Sequence, residues 1–180
     1  MGIKHDQPFW VGIWAFALLS SVALADPTQD TAHAEEAFRV GDMVKAMVLW
    51  TRAAEQNYPA AQTRLGELLD VAEQNEEAVR WFRKAADQGD AAGEFSLGRM
   101  YATGEGIGKD TEKAVYWIHR AAEKDYLPAV EMLAQAYRIG DLGLSIDTRQ
   151  SQFWESKAHT LKNDVAAKEM MEKNKQGQGK

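Results

Sequence analysis

The 180-residue chain contains no cysteine. That removes disulfides, thiol nucleophiles and thiolate metal sites together, so packing alone must hold the fold. Histidine is also scarce. Beyond the N-terminal segment only His33, His119 and His159 occur, on different stretches, with no HExxH and no pair at i,i+4. A metal centre is therefore not expected, nor is a cofactor. Basic side chains are in deficit, 21 Lys and Arg against 27 Asp and Glu. Phosphate attracts proteins mainly through Lys and Arg, so nucleic acid is a poor partner for this chain. No pair of carboxylates stands at a recognisable catalytic spacing.

What the chain does have is repetition. Ala46-x-x-Leu49-Trp50-x-x-Ala53-Ala54 returns as Ala78-x-x-Trp81-Phe82-x-x-Ala85-Ala86 and as Ala114-x-x-Trp117-Ile118-x-x-Ala121-Ala122. A weaker fourth copy reads Gln150-x-x-Phe153-Trp154-x-x-Lys157-Ala158, giving periods of 32, 36 and 36 residues. Upstream of the last three copies stand Leu65-Gly66 with Leu69, Leu97-Gly98 with Tyr101, and Leu133-Ala134 with Tyr137. Both strings have helical spacing, and this period means a stack of helical hairpins, each burying its apolar face against its neighbours. The expected fold is all-α, an α-solenoid of about three and a half helix-turn-helix repeats. Six tryptophans, four of them at repeat positions, are expected to supply much of the core.

The clearest copy is 91–126. Its two helices flank Gly104-Glu105-Gly106-Ile107-Gly108, residues free to take positive φ, and Asp110 or Thr111 can accept from the N–H groups that open the second helix. Gly93 and Gly98 inside the first helix each cost about 1 kcal/mol relative to Ala, which implies a close neighbour. The strings LGxxY at Leu97 to Tyr101, GxGxxxD at Gly104 to Asp110, KAxxW at Lys113 to Trp117 and AAE at Ala121 to Glu123 resemble the Sel-1-like repeat, a branch of the tetratricopeptide-type solenoids. The resemblance covers about residues 34–160. Copy 59–90 departs from it by lacking the glycine turn. Copy 127–164 has Ala134 where Gly is usual, and Gln150 and Lys157 where Ala is usual.

The ends divide the chain further. Met1 to Ala25 has a polar head with Lys4, an uncharged run from Phe9 to Leu19, and then Ala23-Leu24-Ala25, the small-x-small pattern of a secretory signal cleaved before Asp26. A retained anchor is the competing reading, because Pro8 to Ala25 is 18 residues, the lower edge of a membrane span. Residues 26–33 read as a disordered linker, 34–164 as the repeat domain, and 165–180 as a short end-covering helix with a disordered tail. After cleavage no stable membrane insertion is expected, and the location is periplasmic or secreted.

Features that suggest chemistry have plainer explanations. Gly93 to Gly98 spells GxxSxG, not the GxSxG of a hydrolase elbow, and Ser96 lies on a helix. Gly104-x-Gly106-x-Gly108 follows no strand and leads to no Gly-Lys-Ser/Thr, so it is a turn. Glu76, Glu77 and Glu112 fall at helix starts, where a carboxylate complements the helix dipole. His119 stands beside the apolar stripe, with Glu123 one turn on as a surface partner.

What is left is a surface. The family resemblance implies that first helices line a concave face. By repeat position it nominates Thr63, Glu67 and Asp70, then Phe95, Arg99 and Ala102, then Glu131, Gln135 and Arg138. Mixed acidic, basic and amide groups around one aromatic suit a peptide or protein segment. The resemblance thus implies a non-enzymatic exported scaffold for protein or peptide partners. The alternatives are a hydrolase or ligand-binding protein acting on cell-wall material, and a structural homo-oligomer.

Overall fold

The computed structural model describes residues 26–177, and the expected signal peptide and the last three residues of the tail lie outside them. The described residues form eight helices: α1 (Pro27–Arg39), α2 (Met43–Glu55), α3 (Pro59–Val71), α4 (Asn75–Asp87), α5 (Ala91–Thr103), α6 (Thr111–Glu123), α7 (Leu127–Ile139) and α8 (Thr148–Gly177). They pair as four hairpins, each laid against the next through α2 and α3, α4 and α5, and α6 and α7. This is the α-solenoid that the repeat period requires.

The first hairpin is complete, which corrects the expected linker at 26–33. Helix α1 starts at Pro27 because Asp26 caps it, accepting from the Thr28 N–H at 2.9 Å, and proline suits the first helical position. The stretch looks polar because its one buried carboxylate, Asp30, is satisfied by Arg52 of α2. The expected end-covering helix also differs. Residues 165–175 continue α8 without a break and stand exposed, so they cover nothing on their own stack.

Within hairpins the repeat residues do what their spacing implies. Leu97, Met100, Ile118, Ala121 and Ala122 are fully buried. Gly98 is helical because α6 lies against it: a Cβ there would sit 2.7 Å from Ile118 Cγ1 and 3.1 Å from the Ala114 carbonyl oxygen. Asp110 caps α6, accepting from the Lys113 N–H at 3.0 Å. Of the four repeat tryptophans, Trp50 and Trp154 are buried, whereas Trp81 and Trp117 are partly exposed, with Lys84 3.9 Å from the Trp81 ring centre and Arg120 5.0 Å from that of Trp117. The buried aromatic of the second hairpin is Phe82.

The fourth copy sits one residue from the alignment read off the sequence. The Asp147 N–H donates to the Tyr137 carbonyl as the Asp110 N–H does to Tyr101, both at 2.9 Å, so the fourth loop is one residue longer than the third. Ser151, Trp154 and Ala158 therefore occupy the places of Ala114, Trp117 and Ala121, and all three are buried. Glu155 and His159, at the places of Ile118 and Ala122, are exposed, because among the described residues no further hairpin lies against that face of α8.

A polar lock closes three of the hairpins at equivalent positions. Asp30 pairs with Arg52, the Gln88 side-chain amide donates to Gln62 Oε1 at 2.7 Å, and Glu94 takes both Arg120 and Lys124 at 2.8 Å. In the fourth hairpin Val130 stands at the place of the buried polar group and Leu161 at that of Lys124, both packed on the apolar core, while Lys157, at the place of Arg120, turns to Asp125 at 2.7 Å. In these three locks the buried side chain of the first helix thus meets a partner on, or just after, the second helix of its own hairpin.

Candidate interaction surface

The first helices gather on one side of the stack. Helix α3 lies against both α1 and α5, whereas no two second helices approach each other comparably. Along that inner side Arg64 bridges Glu35 of α1 at 2.7 Å and Glu67 of its own helix at 2.9 Å. One step along, Arg99 of α5 occupies the position of Glu67, is exposed, and makes no ion pair among the described residues.

Between them lies an aromatic pair that helical spacing only half revealed. Phe95, partly buried, meets Tyr126 with ring centres 5.4 Å apart and planes tilted by 54°. Burial raises the Tyr126 phenol above its ordinary pKa; Glu67 and Asp90 add to the rise, and Arg64 and Arg99 oppose it. Those charges therefore act on the phenol from within electrostatic reach. Sequence reasoning missed Tyr126 because it lies on no helical stripe: it is the residue just before α7, and the signal was its recurrence with Tyr58, which stands just before α3.

The nominated residues thus separate. Glu67, Phe95 and Arg99 come together around Tyr126. Asp70 and Ala102 lie in the last turns of α3 and α5, both partly buried. Thr63 is withdrawn from the surface: it is buried and its hydroxyl donates to Asp90 Oδ2 at 2.8 Å, bracing the carboxylate that caps α5. Glu131, Gln135 and Arg138 form a second group at the end of the stack, in a groove of about 350 Å³ shared with Glu155, Ala158, His159 and Lys162 of α8. There Glu131 pairs with Lys162 at 2.6 Å, and Arg138 donates to Gln135.

The groups considered for catalysis or metal binding stay apart. Ser96 is buried in mid-helix. His119 is not the surface residue its spacing suggested. It is half-buried against Trp154, ring centres 5.3 Å apart, with Nε2 3.4 Å from the Tyr137 hydroxyl. Burial lowers its pKa, and Glu123 opposes that shift. Among the described residues no cluster of three His, Cys, Asp or Glu side chains is arranged to hold a metal ion, and no helix is long and apolar enough to cross a membrane.

A stack of helical hairpins with mixed charges around an aromatic pair on its first-helix side is an α-solenoid of the kind that presents binding surfaces. The Sel1 repeat family model matches residues 37–58, 59–90 and 91–126, half of the chain. The protein belongs to the Sel1 repeat family, whose repeats serve as protein-interaction scaffolds. Among solved structures, a Sel1 repeat protein from Oxalobacter formigenes is similar with a TM-score of 0.68 and 31% identity, over 75% of this chain and 58% of that one. A protective antigen present in uropathogenic Escherichia coli strains, which displays an SLR fold, is similar with a TM-score of 0.64 and 26% identity, over 81% of this chain and 35% of that one. Chitin synthase regulatory factor 3 of Schizosaccharomyces pombe is 32% identical over 113 residues, 59% of this chain and 12% of the yeast protein. An uncharacterised protein of Neisseria meningitidis serogroup B is 33% identical over 113 residues, 63% of this chain and 24% of its own length. The chain thus spans a quarter or less of the curated relatives it matches.

Proposed function

We propose that this protein is an exported, non-enzymatic scaffold that holds an extended segment of a partner protein along its inner helices. The observation that carries this reading is the Phe95–Tyr126 pair, flanked by Arg99, which has no ion-pair partner among the described residues, and by the Arg64–Glu67 pair. Tyrosine beside arginine is the composition of energetically dominant interface residues, since it combines apolar area with directed hydrogen bonds. The end groove at Glu131, Gln135 and Arg138 extends the same surface. Export rests on the Met1–Ala25 leader, and the location follows as periplasm or extracellular space.

The test is a crosslinking capture from the envelope fraction with the chain from Asp26, compared with the Arg99→Glu/Gln135→Ala variant. A partner held by the parent and lost by the variant, then mapped by its crosslinks to the inner helices, supports the reading. A partner held equally by both, or turnover of cell-wall material abolished by one substitution, overturns it.

A further inference from the structure

The connections inside the hairpins differ in length, and one apolar place is left uncovered as a result. In the third hairpin the loop from Gly104 to Asp110 folds back over the start of α4. Gly106 passes so close that a Cβ there would lie 2.3 Å from the Asn75 carbonyl carbon, and the neighbouring Ile107 packs onto the core. The fourth loop does the same over α6: Gly143 approaches Thr111, where a Cβ would lie 3.3 Å from the hydroxyl, and Leu142 packs onto the core. The turn between α3 and α4 is only Ala72, Glu73 and Gln74, so among the described residues no equivalent loop covers the start of α2.

The effect is visible at matching positions. Val79 of α4 is 4% exposed, while Met47, its counterpart on α2, is 53% exposed. Met100 of α5 is fully buried and its counterpart Leu68 is not. What remains is a groove of about 350 Å³ with Phe38, Met43, Trp50, Leu68 and Val71 as its apolar lining and the Arg64–Glu67 pair at its edge.

The same chain carries an apolar segment against which none of the described residues packs. Beyond Leu161, the last residue of α8 that touches the core, the helix runs on to Gly177. At 1.5 Å per residue those turns project about 24 Å. So short a lone helix is marginal in water unless one face is packed. Its face has the residues for that: Ala166 and Met170, and Ala167 and Met171, lie one turn apart, with Val165 beside them. Val165, Met170 and Met171 are 53%, 67% and 64% exposed. Helix α8 packs against α7 and has no comparable contact with α1, α2 or α3, so its own groove, three hairpins away, is out of reach.

Charge gives the pairing a direction. Residues 26–90 hold 13 acidic and 7 basic side chains, a net of −6, whereas 91–180 hold 13 of each, a net of zero. The terminal stretch 165–180 has four lysines against two glutamates. The groove lining carries only the paired Arg64 and Glu67, so the complementarity is between the acidic hairpins around the groove and the basic end of α8. We propose that the groove between the first two hairpins receives the projecting end of α8 from a second copy of the chain, its methionines entering the place that loop residues fill in the later hairpins. Methionine suits such an irregular gap. Groove and helix are different patches, so the contact is head-to-tail.

Sedimentation equilibrium of the chain from Asp26, which carries all eight helices, tests this. The expected mass is above that of a monomer and rises with concentration. A chain ending at Leu161 and a Met43→Glu/Val71→Glu variant should each stay monomeric while keeping their helical circular dichroism. Mixed together, they should form a one-to-one dimer, because one retains the groove and the other the helix. A parent that stays monomeric up to millimolar protein, a single variant that still associates, or a mixture that forms no dimer overturns the proposal. Arg64 and Glu67 border both this groove and the proposed partner-binding row, whereas Met43 and Val71 belong to the groove alone. Partner capture by the Met43→Glu/Val71→Glu variant therefore separates failure of this proposal from failure of the scaffold reading on which the row rests.

Discussion

Glu94 offers the sharpest test of how this stack is held. Its carboxylate is 0% exposed; Oε1 takes both Arg120 and Lys124 at 2.8 Å, while Oε2 is buried with no hydrogen-bond partner. Replacing both cations by methionine leaves a buried charge with no counter-ion, which costs about 3 to 5 kcal/mol. For a chain of this size each kcal/mol lowers Tm by about 2 to 4 °C, so the double variant should melt about 6 to 20 °C below the parent. Adding Glu94→Val, the residue type that Val130 supplies at the same place in the fourth hairpin, removes the stranded charge. The triple variant should recover to the parent's stability or exceed it by about 1 to 4 kcal/mol. Urea unfolding followed by tryptophan fluorescence gives the three free energies directly. A double variant within about 0.5 kcal/mol of the parent, the range of surface substitutions, would refute the reasoning, because it would mean that water reaches the carboxylate. So would a triple variant no better than the double.

Two further outcomes follow from the loops and from His119. Gly106 has φ of +66° and no room for a Cβ, so Gly106→Ala should lose about 2 kcal/mol or more, combining left-handed strain with backbone overlap, while Gly108→Ala, with nothing within 4 Å, should stay within about 0.5 kcal/mol in the same urea assay. Because burial lowers the folded pKa of His119 while Tyr137, Trp154 and Glu123 surround it, the unfolded chain binds more protons over the window between its folded value and the ordinary imidazole value near about 6.5. Stability should therefore fall as pH drops through that window and level off below it, and His119→Phe should flatten this part of the profile of unfolding free energy against pH.

The sequence made the central hairpin legible and its neighbours less so. Ala114, Ile118, Ala121 and Leu97 declare themselves because each is buried by its own hairpin or the next at regular spacing. Helix α1 was hidden because its inward carboxylate is answered by Arg52, 22 residues away, a contact that no local pattern encodes. The register of the fourth copy was hidden by one extra loop residue, which shifts every inward position of α8. On the candidate site, Glu67, Phe95 and Arg99 were reachable by aligning repeats. Thr63 failed because Asp90 of the next hairpin draws it in, and Tyr126 was overlooked because it belongs to a junction between hairpins.

The three polar locks and the apolar Val130 at the same first-helix place in the fourth hairpin are chemically distinct, and that difference bears on how the chain finds its fold. Hairpins of near-identical shape invite mispairing, in which a first helix closes on the wrong second helix. Were α7 to close backwards on α6, Val130 would stand against Arg120 and Lys124, and Glu94 would lose both cations. A misthreaded stack would therefore carry a stranded charge that the native one does not. By this reasoning the locks act as an address system, in which each first helix recognises its own partner and rejects the copy beside it.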